Sequence, residues 1–178
     1  MHPLKRVMLA INVLGGMAVL GSYAWGFRTH ANASEILWGG VPGAIRPLYT
    51  AGMFLAAAGY FAFTYFILFR LPPDETKVAG RYGFDLFNVL YAIILFASAH
   101  WMPLTFAAIE AHSLPLAWFV RLILAIVAAA SLGLLAALLR VEPKRPLWAQ
   151  RLAGIGAAAF CAQTAVLDAL VWSAFFHV

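Results

Sequence analysis

Charge is what this chain has least of. Only 11% of its 178 residues are Asp, Glu, Lys or Arg, against 64% hydrophobic. Soluble domains run nearer 25% charged and about 45–50% apolar, so the composition excludes an ordinary water-soluble fold. Apolar runs cover nearly the whole length, which leaves no room for a second, polar domain or a separating linker. There is a single cysteine, Cys161, inside an apolar run, which excludes an intrachain disulfide framework and a cysteine-based metal site. The sequence has no Gly-rich phosphate loop, no HExxH, no Ser/His/Asp context and no paired carboxylates. Glu110 and His112 share one short connection, but they select no reaction. No inverted repeat or pair of Gly/Pro-broken helices marks a secondary transporter.

What is present is apolar length. A membrane helix needs about 20 mainly apolar residues, and five stretches qualify: Val7–Phe27, Pro47–Phe69, Tyr82–Met102 (ended by Pro103), Leu116–Leu139 and Leu152–Phe176. The expected fold is all-α, a single integral membrane bundle of five transmembrane helices over residues 1–178. The first run follows Met1-His2-Pro3-Leu4-Lys5-Arg6 and continues to about Trp25 with no small-x-small cleavage site. It reads as a retained helix rather than a removed signal.

The net charge of +5 invites a nucleic-acid reading, which the placement of the charges rejects. Basic residues sit at the ends of apolar runs, with no basic patch interleaved with stacking aromatics. They also alternate. Lys5 and Arg6, then Arg70, Lys77 and Arg81, then Arg140, Lys144, Arg145 and Arg151 fall on one side. Only Arg28 and Arg46 fall on the other. Nine against two is a positive-inside pattern, which puts the N-terminus in the cytoplasm and the C-terminus outside. Basic turns and a high Ala/Leu content fit a bacterial inner membrane.

The connections differ in kind. Leu71-Pro72-Pro73-Asp74-Glu75 and Glu142-Pro143-Lys144-Arg145-Pro146 read as plain cytoplasmic turns. The first connection, Arg28 to Arg46, is longer. Ala33–Trp38 reads as a short interfacial helix capped by Asn32 or Ser34, broken by Gly39-Gly40-Val41-Pro42-Gly43. It is long enough to fold over the outer mouth of the bundle. Trp38 and Tyr49 are alternatively headgroup anchors. Small-x3-small spacings, Gly52-x3-Ala56 and Gly154-x3-Ala158, mark tight helix contacts.

One residue stands out against this background. Asp168 is a carboxylate well inside the last apolar run, where an acid costs a few kcal/mol and is rarely unpaired. It lies eight residues from Phe176, about 12 Å below the outer end, and Arg121 lies five residues from Leu116, about 8 Å deep. Opposite charges in one layer are expected to pair, as a static clamp or as part of a ligand pocket. Cys161, Thr164, Asp168 and Trp172 are spaced three, four and four. On an α-helix that is one face, too polar for lipid. Gln163 lies beside it. Tyr49, Tyr60, Tyr65, Tyr91 and Asn88 add polar groups from other helices. An aromatic-walled interior of this kind suits an apolar, flat or elongated ligand. His30, His100, His112 and His177 are expected on the outer side. No His pair has helical i, i+3 or i, i+4 spacing, so neither a metal site nor haem ligation is read from them. The candidate ligand set is Trp38, Tyr49, His100, Arg121, Thr164, Asp168 and Trp172.

Three stretches also carry a likeness. Leu167-Asp168-Ala169-Leu170-Val171-Trp172 resembles the fifth-helix pattern Leu-Asn-x-x-(Ile/Val)-Trp of the TspO/translocator protein family, the tryptophan-rich sensory proteins, with Asp168 where Asn is usual. Pro47-Leu48-Tyr49 through Met53, with Tyr60 behind it, is similar to that family's second-helix start. Phe87-Asn88-x-Leu90 resembles its third. The chain departs at Trp38-Gly39-Gly40-Val41-Pro42, where the family is richer in Trp and Pro, and at Tyr91-Ala92-Ile93, where it has Trp-x-Pro. The resemblance implies a pocket beneath the first loop for porphyrins (haem among them), sterol-like or other apolar molecules. The competing expectation is an accessory or structural subunit. Its partners would be the lipid bilayer, a second copy or a larger membrane complex.

Overall fold

The computed structural model describes residues 1–143 and 146–178. Lys144 and Arg145, two of the basic residues counted above, lie outside the described residues. Among the described residues, five helices are long and apolar enough to cross a membrane. They form α1 (Pro3–Thr29), α3 (Arg46–Tyr65, prolonged by a π-wound turn Phe66–Arg70), α4 (Asp85–Glu110), α5 (Leu114–Arg140) and α6 (Leu147–Cys161). A π-wound stretch Ala162–Trp172 and a last α-turn Ser173–Phe175 continue α6. The short α2 (Ala33–Trp38) lies in the first connection. Local chemistry starts the long helices: Pro3 opens α1 behind a His2 cap, and Ser113 caps α5 through Leu116 N at 3.4 Å.

Neighbours run α1, α4, α5, α6, α3. Tyr60 of α3 closes the ring by donating to Asn12 Oδ1 of α1 at 2.6 Å. The core is split along the bundle axis. Phe63, Phe66, Phe87, Tyr91, Leu134 and Leu138 fill the end that carries most of the basic residues. Tyr49, Val120, Trp172 and Phe176 fill the end under α2.

Several expectations change. The basic-end turns are joined: Lys77–Val78 (β1) pairs antiparallel with Val141–Glu142 (β2), Lys77 opposite Glu142. Pro103 does not end its helix, which runs on to Glu110. An interior proline costs ~3 kcal/mol, but Thr105, Phe106 and Ala108 beyond it are buried. The packing of these three residues together holds the helix through the proline. Asn32 holds the N-cap position of α2 with no side-chain cap bond, at φ 61°.

Of the two small-x3-small spacings, Gly52–Ala56 marks a tight contact, with Ala56 buried and a Cβ on Gly52 running into Gln163 and Leu167, whereas Gly154–Ala158 does not. Ala158 is exposed. The α3–α6 seam closes through Gly59 and Gly156. A Cβ on Gly156 would sit 2.8 Å from both Cα and O of Gly59. Only two glycines allow that backbone approach.

Candidate functional site

The end of the bundle under α2 holds most of the polar and aromatic residues the sequence singled out. Its organiser is the winding of α6. In a 3.6-residue helix, residues five apart point about 140° away from each other. Over Ala162–Trp172 the i→i+5 winding brings them together. Gln163 Nε2 donates to Asp168 Oδ1 at 2.7 Å, and Ser173 Oγ reaches the Asp168 carbonyl at 3.3 Å. None of Cys161, Thr164, Asp168 and Trp172, the expected stripe, is exposed. Cys161, Thr164 and Trp172 are buried while Asp168 is half-buried, and Thr164 turns its hydroxyl back to Phe160 O.

The expected Arg121–Asp168 pair does not form. Arg121 Nε donates to Ser173 O at 3.2 Å and Nη2 to Phe176 O at 2.6 Å. Its guanidinium also lies over the rings of Trp118 and Phe176. The last carbonyls of a helix have no intrahelical donor. Arg121 serves those carbonyls at the end of α6, a demand that depth alone did not reveal. No Lys, Arg or His nitrogen among the described residues is within 4.0 Å of the Asp168 carboxylate.

Around this acid the aromatics interlock. Trp172 stacks on Phe176 (centroids 4.4 Å, 18°) and meets Trp101 edge-on at 5.7 Å. Trp101 in turn lies 6.2 Å from Tyr23 of α1. Tyr49 is buried rather than set in a headgroup belt, and its hydroxyl donates to Leu167 O. Tyr49 thereby lies beside Asp168, the residue that follows Leu167.

The first connection lies across this layer. Trp172 Nε1 donates to Leu37 O at 2.8 Å, and Gly40 N to Phe175 O at 3.3 Å. Trp38 packs edge-on against Tyr49 at 5.8 Å. Arg46 straps the segment down through Glu35 (3.0 Å), Val41 O (3.3 Å) and the Trp38 ring. A second strap joins α1 to α4: His30 stacks on Phe106 at 3.8 Å and meets Glu110 Oε1 at 3.1 Å.

Trp38, Tyr49, Arg121, Thr164, Asp168 and Trp172 thus share one end of the bundle. His100 does not join them. It is exposed, bonds Phe96 O at 2.8 Å, and edges an apolar groove of ≈ 540 Å³ between α1 and α4. A helix residue next to Trp101 points elsewhere by about 100°; Trp101 is the inward one. Tyr60, Tyr91 and Asn88 belong to the other end, and Tyr65 is exposed beside Arg70. Sequence reasoning passed over Tyr23 and gave Gln163 no partner. An i, i+5 partner is invisible to a 3.6-residue period. Three buried polar atoms have no hydrogen-bond partner among the described residues: Asn88 Oδ1, Trp101 Nε1 and Gln163 Oε1. No protein-family model, no curated protein and no solved structure matches the chain.

Proposed function

We propose that this protein binds an apolar or porphyrin-like ligand in a pocket at the α2 end of the bundle, as a sensor or carrier rather than an enzyme. The observation that carries this is the strapped α2 segment lying across an aromatic layer at the end of the bundle that also holds a half-buried acid. Trp38, Tyr49, Trp101 and Trp172 supply flat apolar walls, and Asp168 with Gln163 supplies the polar contact. The π-wound stretch adds support, because such windings are rare and recur at functional sites. The pocket faces outward in a bacterial inner membrane, with the N-terminus cytoplasmic, in keeping with the alternation of basic residues. This is the mode of action that the resemblance to the tryptophan-rich sensory proteins implies. The test is a titration of purified protein with protoporphyrin and with 9-methylanthracene, a neutral flat arene, following tryptophan fluorescence. Saturable quenching by at least one is expected; linear, non-saturating quenching by both removes the proposal.

A second reading has its own observation. The α1–α4 groove is lined by Ala10, Gly15, Ala18, Ala92 and Ala99, and His100 edges it. An exposed imidazole beside an apolar groove suits a partner helix, as in an accessory subunit of a membrane complex. Stoichiometric co-purification in mild detergent, lost on His100→Leu, supports it; an isolated chain of unchanged size argues against it.

A further inference from the structure

Resting on the pocket proposed above, we infer that its preferred ligand is a lipophilic cation, a flat aromatic or alkylated ammonium whose positive charge settles against Asp168. Three features of the site lead there.

The first is the acid's unmet demand. Oδ1 of Asp168 takes the Gln163 amide. Oδ2 accepts no hydrogen bond among the described residues, yet it is not one of the sealed polar atoms. It keeps accessible surface. A carboxylate deep in an apolar run is costly unless a partner neutralises it.

The second is that the protein's own cation is committed elsewhere. Arg121 is the one basic residue inside the apolar length of the helices at this end, and both of its bonds go to carbonyls at the end of α6. Moving it to Asp168 would strand those two carbonyls. The other acids nearby already have partners: Glu35 holds Arg46 and Glu110 holds His30.

The third is the wall. Tyr49 donates to Leu167 O next to Asp168, Trp172 lies four residues on, and Trp101 and Tyr23 continue the layer from Trp172, so that four elements contribute. Aromatic faces attract cations, most strongly when water is excluded. An aromatic wall beside an unpaired acid recognises an organic cation better than a neutral or anionic molecule of the same shape.

The full chain, purified in detergent micelles, is titrated with 10-methylacridinium and with 9-methylanthracene. These two share size and shape and differ in charge. Quenching of tryptophan fluorescence gives each affinity. The cation is expected to bind roughly tenfold tighter or more. Asp168→Asn keeps an acceptor for Gln163 and is expected to bring the ratio close to one. Glu35→Gln and Glu110→Gln are expected to leave the ratio as in the parent. Equal affinities in the parent protein overturn the cation preference while the pocket stands. A preference that survives Asp168→Asn, or disappears with Glu35→Gln or Glu110→Gln, overturns it as well. Saturable binding of neither arene, with protoporphyrin also silent, removes the pocket and the inference together. The parent ratio alone decides if the Asp168 variant does not fold.

Discussion

The first half of α6, Leu147–Cys161, packs by close approach, whereas the second, Ala162–Trp172, packs through polar groups. In the first half the winding is regular and Gly156 lies against Gly59 of α3 with no side chain between them. In the second half the winding loosens to i→i+5 and side chains reach across. Gln163 bonds Asp168, Trp172 bonds Leu37 O, Tyr49 donates to Leu167 O, and Arg121 donates to Ser173 O just beyond the stretch. A seam of bare backbone leaves nothing for a ligand to meet. A seam held by separable polar contacts does. The difference locates the candidate site in the second half, and three substitutions test how real it is.

Gly156→Val has the largest expected effect. Its Cβ would meet Gly59 backbone, which cannot swing aside as a side chain does. Overpacking costs typically 1–3 kcal/mol, and the loss here is expected at about 3 kcal/mol, read from unfolding in mixed micelles. Gly154→Val is the control. A Cβ there comes no closer than 3.8 Å, to Leu139, and the cost is expected to be several-fold smaller. Equal losses at the two glycines would mean that the first half is not held by close approach at Gly156.

Arg121→Met comes next. The apolar stem is kept and two charged hydrogen bonds to Ser173 O and Phe176 O are lost. Bonds from a charged donor contribute about 1.5–3 kcal/mol each. With solvent or lipid headgroups partly replacing them, a loss of roughly 2 kcal/mol is expected. Its location is the sharper readout. Amide hydrogen exchange should rise over residues 173–178 and stay unchanged over 147–161. Exchange rising evenly along α6 would show that its two halves are not separately held.

The contrast between the halves also marks what the sequence could reveal. Hydropathy reads the number of long helices well, because helix length is set by a solvent requirement rather than by packing detail. The short Ala33–Trp38 helix was legible from its breakers. Ionisable Asp168 was legible as an anomaly, since an acid in a long apolar run stands out in any conformation. Its partner was not. Depth arithmetic places Arg121 in the same layer, but two helix-end carbonyls compete for that guanidinium, and backbone demand has no sequence letter. The Gln163–Asp168 bond was hidden for a related reason. A period of 3.6 sets residues five apart on different faces, and the winding departs from that period there. Pro103 misled in the opposite direction, its local cost being outweighed by burial beyond it.

Trp172→Phe is the smallest change and the most direct probe of the covering segment. The ring that stacks on Phe176 and meets Trp101 is largely kept, so the aromatic layer stays filled. What goes is one hydrogen bond, from Nε1 to Leu37 O. A net loss of about 1 kcal/mol is expected, too little to unfold the bundle. The α2 segment is still strapped by Arg46 to Glu35 and by Gly40 to Phe175, so it should loosen rather than leave. Hydrogen exchange over 33–41 should quicken by roughly fivefold, the population change that 1 kcal/mol allows, while Gly156 and its neighbours keep parental rates. On the pocket proposed above, Phe at this position should also speed ligand entry and exit by similar factors, because the segment then opens more often. Unaltered exchange over 33–41 would show that Trp172 fills space and does not hold the cover in place.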